Sequence, residues 1–578
     1  MYPLKLNTFL TLILCVSIFE SKAQLVKNTV KENTADWYNL SFDKDGVYGA
    51  NVNQAYQFLK GKTMSKKPVV AIIGFGLDTA HEDLKHAVWV NANEKADGED
   101  NDGNGWVDDL NGWNFLGSKQ GEIVDALSKV GDREFMRLRG KYEAIFWTGK
   151  HYVRFDDVLN KPVIVTTPID KTEYEYFKKL RGESDAAAAA NTYQFAKFMK
   201  YYLLNDFDQE LKKKYPDDTK ITGKEFRTIK MTQNGETDSV KLVAHMFLSA
   251  FMGTTNPTGG ANQQPITLAK FKENIINTFP NRKEKYDKAI AAIVDGRKII
   301  SDNPNDISHK NYGNGNLTTN SSFASTMCAG IIAAARDNQI GVNGIAPNAA
   351  IMSLRIYPKI GEFYYKDLAL AIRYAVDQKA DLILLGLPNS IYPPTEAKWV
   401  NDALIYASTK NVLIVSPVLD LAKDVDAQNY YPNRNIAKDK ELANFIMVAA
   451  SDSSGMPLKE GNYGKKELDL YAPGVNVNST YMGSTYRNGT GSMLAAANVA
   501  GVAALIKSYY PELSAAELKK LIVGNVTLRD NIEVEKETFV KDRKVSDLFL
   551  FNELCVSGGI LNAHKAIIAA DKLSNKQK

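Results

Sequence analysis

Cysteine and histidine are both scarce here: three and six, respectively, among 578 residues. Cys15 lies in an N-terminal apolar run, which leaves Cys328 and Cys555 for the rest of the chain. Two cysteines exclude a disulfide framework. A single bridge stays open for an exported protein, and two buried thiols are the alternative that Cys328, set in an apolar helical pattern, favours. Charge of one sign is also lacking, since the net charge is only +4. With no basic stripe interleaved with aromatics, this gives no ground for a nucleic-acid or membrane-surface role. Past the N-terminal segment no run reaches the ~18 consecutive apolar residues of a membrane span. The stretch from Leu494 to Ile506 is apolar but shorter, and fits a buried core helix. No internal repeat of about 20 to 50 residues is present.

What is there suits a large folded protein. With 44% hydrophobic and 24% charged residues, the composition is ordinary for a globular chain, and the length exceeds one typical domain. Residues 1–23 read as a secretory signal: Lys5, an apolar run from Phe9 to Phe19, then Ser21-Lys22-Ala23 before Gln24. Export to the periplasm, cell surface or medium is expected. Leu14, before Cys15, is larger than a lipoprotein signal wants, which argues against lipidation.

Four blocks carry the chemistry. They are Val69 to Asp78 followed by His81-Glu82-Asp83-Leu84; Ala324-Ser325-Thr326-Met327-Cys328-Ala329-Gly330; Val412 to Asp420; and Gly491-Ser492-Met493-Leu494-Ala495 leading into Val499-Ala500-Gly501. They resemble the VAVIDSGVD…HPDL, HGTHVAG, VLLVHAAGN and GTSMAAPHVAG blocks of the subtilisin-like serine proteases. Matches to Asn343-Gly344-Ile345-Ala346-Pro347, to Ala369 through Asp377 and to Gly558-Gly559-Ile560-Leu561-Asn562 extend the resemblance through most of the chain.

The reactive positions depart from the pattern. The resemblance puts Gly74 at the triad aspartate, Ala324 at the base histidine and Met493 at the nucleophile, and gives Asp78 and His81 structural roles. Met327 stands at the second histidine of its block. Asp420 stands at the asparagine whose amide donates to the oxyanion, and a carboxylate there repels developing negative charge. Gly386, Leu387 and Pro388 stand on the strand that pairs with a substrate backbone, and Pro388 has no N–H to donate. Loss of the serine or histidine alone costs such a triad on the order of 10⁶ in turnover. The expected protein is therefore an inactive relative that binds a protein or peptide partner. The alternative is a hydrolase with a non-standard site using Ser492. For that alternative the sequence offers no base, because none of His81, His86, His151, His245, His309 and His564 falls in a triad block, and His309 reads as a solvated loop residue. The inactive reading depends on there being no hydroxyl or thiol within bonding reach of an imidazole, amine or carboxylate at the cleft.

The fold class expected is α/β, a three-layer sandwich around a mostly parallel sheet, because strand-like and helix-like blocks alternate. A helical insertion over residues 118–300 interrupts it, dividing the core into 24–117 and 301–578. Within it Ala189, Tyr193, Ala196, Met199, Leu203, Phe207 and Leu211 recur at helical spacing. Ser184, Asp185 and the Thr222–Glu225 pair are expected caps, and Gly253 to Pro265 reads as a polar loop. A lid, a partner surface and plain packing are all open for this insertion. Finally, Asp100, Asp102, Asn104, the Trp106 carbonyl and Asp108 have the spacing of the front of a calcium loop, with Asn111 where the closing glutamate belongs. A structural calcium and a solvated acidic turn are equally consistent with it.

Overall fold

The computed structural model describes residues 36–149, 151–229, 239–253, 266–293, 296–437, 440–540 and 543–577. The expected signal segment and most of the Gly253–Pro265 loop lie outside them. Residues 128–294 form one compact unit, and the other described residues form a second.

In the second unit a nine-stranded sheet is built from β1 (Val69–Gly74), β2 (Gly112–Asn114), β3 (Ala350–Arg355), β4 (Leu382–Leu385), β5 (Leu413–Pro417), β6 (Phe445–Ser451), β7 (Leu470–Pro473), β8 (Thr527–Leu528) and β9 (Gly559–Ile560). The order across it is β8-β9-β7-β6-β5-β4-β1-β3-β2. Every neighbouring pair is parallel except the edge strand β8, which runs antiparallel to β9. The strands are unbroken apolar runs because both faces are covered. Val70, Ile72, Leu382, Leu384, Leu413, Val415, Ile446 and Val448 join one apolar cluster with the Ser492–Tyr509 helix. The two-residue strand period turns Ala71, Ile73, Ile383, Leu385 and Ile414 to the opposite face, where they are buried as well. On that side the Tyr365–Asp377 helix packs on β1 and on the Pro394–Thr409 helix. This is the expected three-layer α/β arrangement.

The Ser492–Tyr509 helix follows from a run rich in Ala and Leu, opened by Gly491 and stopped by Pro511 after Tyr510. It lies against β4 to β7 and against the Phe323–Ala333 helix. All residues from Ser492 to Ser508 are buried, so its amphipathicity vanishes. Cys328 and Cys555 are free, buried thiols.

A buried ionic network stands where the sequence suggested only a solvated loop. The Arg297 guanidinium donates to both oxygens of Asp367, at 2.6 and 2.9 Å, and to Asp302 at 2.9 Å. Lys366 binds Asp302, and Tyr312 donates to Asp367 at 2.5 Å. The side chains of Asp302, Asp367 and Lys366 are all 0% exposed. His309, expected in solvent, contacts Asp302 through Nδ1 at 3.2 Å and is half exposed.

The 128–294 unit is not purely helical. Alongside Val130–Tyr142, Asp185–Tyr201 and Leu268–Ala291 it holds an antiparallel three-stranded sheet of Ile145–Trp147, Tyr152–Asp156 and Lys161–Ile164. Ser184 caps its helix by accepting from the Ala187 N–H, and Thr222 and Glu225 form a capping box. Phe198, Leu203, Phe207, Phe226 and Leu268 make its own core.

Removing one partner of a buried ion pair strands the other charge, which typically costs about 3–5 kcal/mol. Asp367→Asn is therefore expected to lower unfolding free energy by about that amount in urea denaturation, whereas the exposed Asp402→Asn, which leaves Lys398 in solvent, shifts it by less than about 1 kcal/mol.

Candidate functional site

The four blocks meet at the start of the buried helix. Gly74 ends β1, and a Cβ built on it would lie 2.3 Å from Ser325 Oγ. The space for a side chain at Gly74 is thus taken by the Ser325 hydroxyl, which accepts the Phe75 N–H at 2.9 Å. Ala324 is partly buried in the first turn of its helix, and Met327 is 1% exposed, with its sulfur and methyl packed close to Gly489. Met493 occupies the second helical position at 8% exposure, and its carbonyl accepts the Cys328 thiol at 3.7 Å. Burial pushes that thiol up to about 12, so it is not a thiolate nucleophile.

One expectation fails. Ser492 Oγ donates to Asp420 Oδ1 at 2.6 Å, and Asp420 Oδ2 accepts the Ser492 backbone N–H at 3.0 Å. A hydroxyl does meet a carboxylate here. The cause is helix capping. Gly491, at φ 153° in a region open only to glycine, offers no side chain to the free N–H groups of the helix. Asp420, 72 residues earlier in the chain, supplies the acceptor. A Cβ at residue 491 would stand 3.4 Å from Asp420 Oδ2, so glycine also makes room for the carboxylate. Negative charge is favoured at this end of a helix.

The hydroxyl is enclosed. Ser492 is 0% exposed, and its Oγ also accepts the Ala450 N–H at 3.2 Å. Lys536, which acts electrostatically on Asp420, is fully buried on the Glu533–Val540 strand, which pairs antiparallel with Arg543–Leu550. Its ammonium donates to the carbonyls of Leu458 at 2.7 Å and Gly461 at 3.0 Å. Burial pushes its pKa down to about 8 against the pull of Asp420 and Glu460. Burial also raises the Asp420 carboxyl, opposed by its bonds from Ser492 and by Lys536.

The strand expected to take a substrate is satisfied internally. The Tyr357 hydroxyl donates to the Leu387 carbonyl at 2.6 Å, and its ring lies where a Cβ on Gly386 would sit, 2.6 Å away. Past Pro388, Asn389 exchanges both backbone hydrogen bonds with Tyr431 at 2.7 Å. Tyr357 also packs against Phe75 and Phe363. Asp78 and His81 serve the Val477–Tyr481/Thr485–Gly489 hairpin: Asp78 Oδ2 accepts the Gly483 N–H, and His81 Nε2 meets the Thr485 carbonyl at 3.1 Å.

The expected calcium ligands do not gather as a set. Asp100 accepts the N–H groups of Asn104 and Gly105, Asp108 accepts those of Asp97 and Gly98, and Asn104 Oδ1 accepts that of Trp106. The carboxylates that converge are Glu94, Asp102 and Asp109, with one oxygen from each within 4.8 Å of the others. Only Asp102 belongs to the expected five. Asp100 and Asp108 are drawn instead onto turn amides, where Gly98, Gly103 and Gly105 take positive φ.

Residues 65–547 match the family described as the subtilase family, peptidase S8. A thermostable alkaline protease of Halalkalibacterium halodurans is 32% identical over 236 residues, covering 41% of this chain and 57% of that protein. Thermitase of Thermoactinomyces vulgaris is 34% identical over 183 residues, covering 32% and 60%. The match thus spans little more than half the length of these relatives. Among solved structures, a protease from Pseudoalteromonas arctica is 26% identical with a TM-score of 0.34, covering 44% of this chain and 74% of that one.

Two outcomes are expected. Gly74→Asp overpacks the site against Ser325 and costs at least about 1–3 kcal/mol. Adding Ser325→Gly recovers part of that loss, a coupling read from a double-mutant cycle in urea. For Lys536, the folded pKa of about 8 lies below the unfolded value, so the folded chain binds fewer protons between the two. Its contribution to stability therefore rises with pH from about 8 to about 10.4. The difference in urea midpoint between wild type and Lys536→Met should change across that window and stay flat from about pH 6 to 7.

Proposed function

Since this chain belongs to the subtilase family, we propose that it is a member without the family's chemistry, an exported protein that binds or regulates a protein or peptide partner. A hydroxyl does stand within bonding reach of a carboxylate, so the condition set by the sequence is not met. What supports the reading instead is that Ser492 is 0% exposed, with its Oγ accepting the Ala450 N–H and its N–H and O–H both held by Asp420. Oxyanion stabilisation needs donors aimed at the place where negative charge develops. Here the Asp420 carboxyl already takes up donors at the helix start. Gly74, Ala324 and Met493 offer no nucleophile, base or orienting carboxylate, and the internal bonds of Leu387 and Asn389 compete with a peptide for the segment that follows β4. Partner binding then falls to other surfaces of the chain. A divalent cation at the Asp100–Asp109 loop, which precedes the outermost strand β2, has a structural role in this reading.

A second reading rests on the same pair. Asp420 is placed to accept the Ser492 proton, and Lys536, with a pKa near 8, is a further proton carrier nearby. In that reading the hydroxyl needs access that its present burial denies.

The purified protein, incubated with a serine-directed fluorophosphonate probe and a fluorogenic peptide library, is expected to show neither labelling nor turnover. Labelling that disappears in Ser492→Ala would replace the first reading with the second.

A further inference from the structure

Among the described residues, the Glu533–Val540 and Arg543–Leu550 strands pair only with each other. A two-stranded ribbon is marginal in water by itself, so this one depends on what its inner face touches. Val534 is 3% exposed, the Phe549 ring packs on Tyr463 at 5.5 Å, and Lys536 is fully buried. The other face is open: Leu548, across from Glu535, is 69% exposed.

The Lys536 ammonium ends on the Leu458–Gly461 turn, whose Leu458 carbonyl also accepts the Gly461 N–H at 3.0 Å. That turn backs the capped start of the central helix. A Cβ on Gly461 would stand 3.7 Å from Asp420 Oδ1, the atom that accepts the Ser492 hydroxyl. The Leu458 N–H donates to the Ala450 carbonyl at 2.8 Å, and the Ala450 N–H donates to Ser492 Oγ. The turn is also knitted to the segment that carries Asp420. Asn462 donates its N–H to the Leu419 carbonyl at 3.0 Å, and its Oδ1 accepts the N–H groups of Leu421 and Lys423. Turn and carboxylate thus form one body, and Lys536 fastens the ribbon to it under opposed forces. Burial disfavours the ammonium charge, while the two carbonyls and the charges of Asp420 and Glu460 favour it. Drawn away with the ribbon, the ammonium regains water and the turn loses its donor.

We propose that this ribbon is a strap over the Asp420–Ser492 pair, latched by Lys536: when it lifts, the Leu458–Gly461 turn loosens and the carboxylate leaves the Ser492 hydroxyl. Any reactivity of the freed hydroxyl rests on the second reading of Ser492, whereas the opening does not.

Hydrogen–deuterium exchange near neutral pH, read peptide by peptide on the purified protein, compares wild type with Lys536→Met. The variant is expected to exchange at least about tenfold faster over 458–463 and 491–494, while the Tyr365–Asp377 helix keeps its wild-type rate. If Lys536→Met fails to fold, Phe549→Ser, which loosens the ribbon from Tyr463, is read in the same way. The strap is overturned if faster exchange is absent, is confined to 533–550, or spreads evenly through the chain. The serine-directed fluorophosphonate probe is applied to the same variant. Opening with labelling supports both the strap and the second reading, and opening without labelling keeps the strap and removes that reading.

Discussion

A helix buried along its whole length must have its first N–H groups met by another part of the chain. In this chain that partner is Asp420, and the rest of the site is arranged around the fact. The carboxylate reaches the Ser492–Tyr509 helix from the end of the β5 block, so it ties the central helix to the central sheet at one point. Its charge is tolerated there because the helix end is positive and Lys536 lies close by. The same placement sets the character of the site, because an acceptor held in this position cannot also act as a donor.

Around that anchor the side chains pack closely. Gly74 and Ser325 exchange volume across the gap between β1 and the Phe323–Ala333 helix. Met327 and Met493 bring apolar bulk to the same neighbourhood, and Tyr357 covers Gly386 while binding Leu387. Gly74, Met327 and Met493 are thereby part of the packing of the second unit.

Much of this was legible in the sequence, for physical reasons that differ by feature. The parallel strands announce themselves as unbroken apolar runs such as Val69 to Ile73, and the central helix by its alanine-rich composition. The resemblance puts Gly74, Ala324, Met493 and Asp420 at the reactive positions through the scaffold residues around them. The capping bond of Asp420 was not legible, since it joins residues 72 apart and depends on an acceptor that Gly491 itself lacks. Loop spacing pointed to Asp100 and Asp108, but turn amides claimed them, and Glu94 and Asp109 fell outside the ligand positions of that pattern. The ionic network of Arg297, Asp302, Asp367 and Lys366 hid in a stretch that looks polar and solvated, because mutual neutralisation, invisible in composition, permits its burial. Three short strands within residues 145–164 hold only 3, 5 and 4 residues, too few for an alternating pattern to stand out beside the helical one.

The 128–294 unit leaves the sheet-bearing unit after Leu127 and returns before Gly296, and those two places touch: a Cβ on Gly296 would stand 2.8 Å from the Ala126 carbonyl. In polymer terms the excursion begins and ends at almost the same point. Joining β1 to β3 across some 275 intervening residues would otherwise carry the loop-closure entropy of a long flexible tether. Once the intervening unit has formed, the tether is effectively much shorter, so the order in which the two units acquire structure governs how readily the central sheet can close.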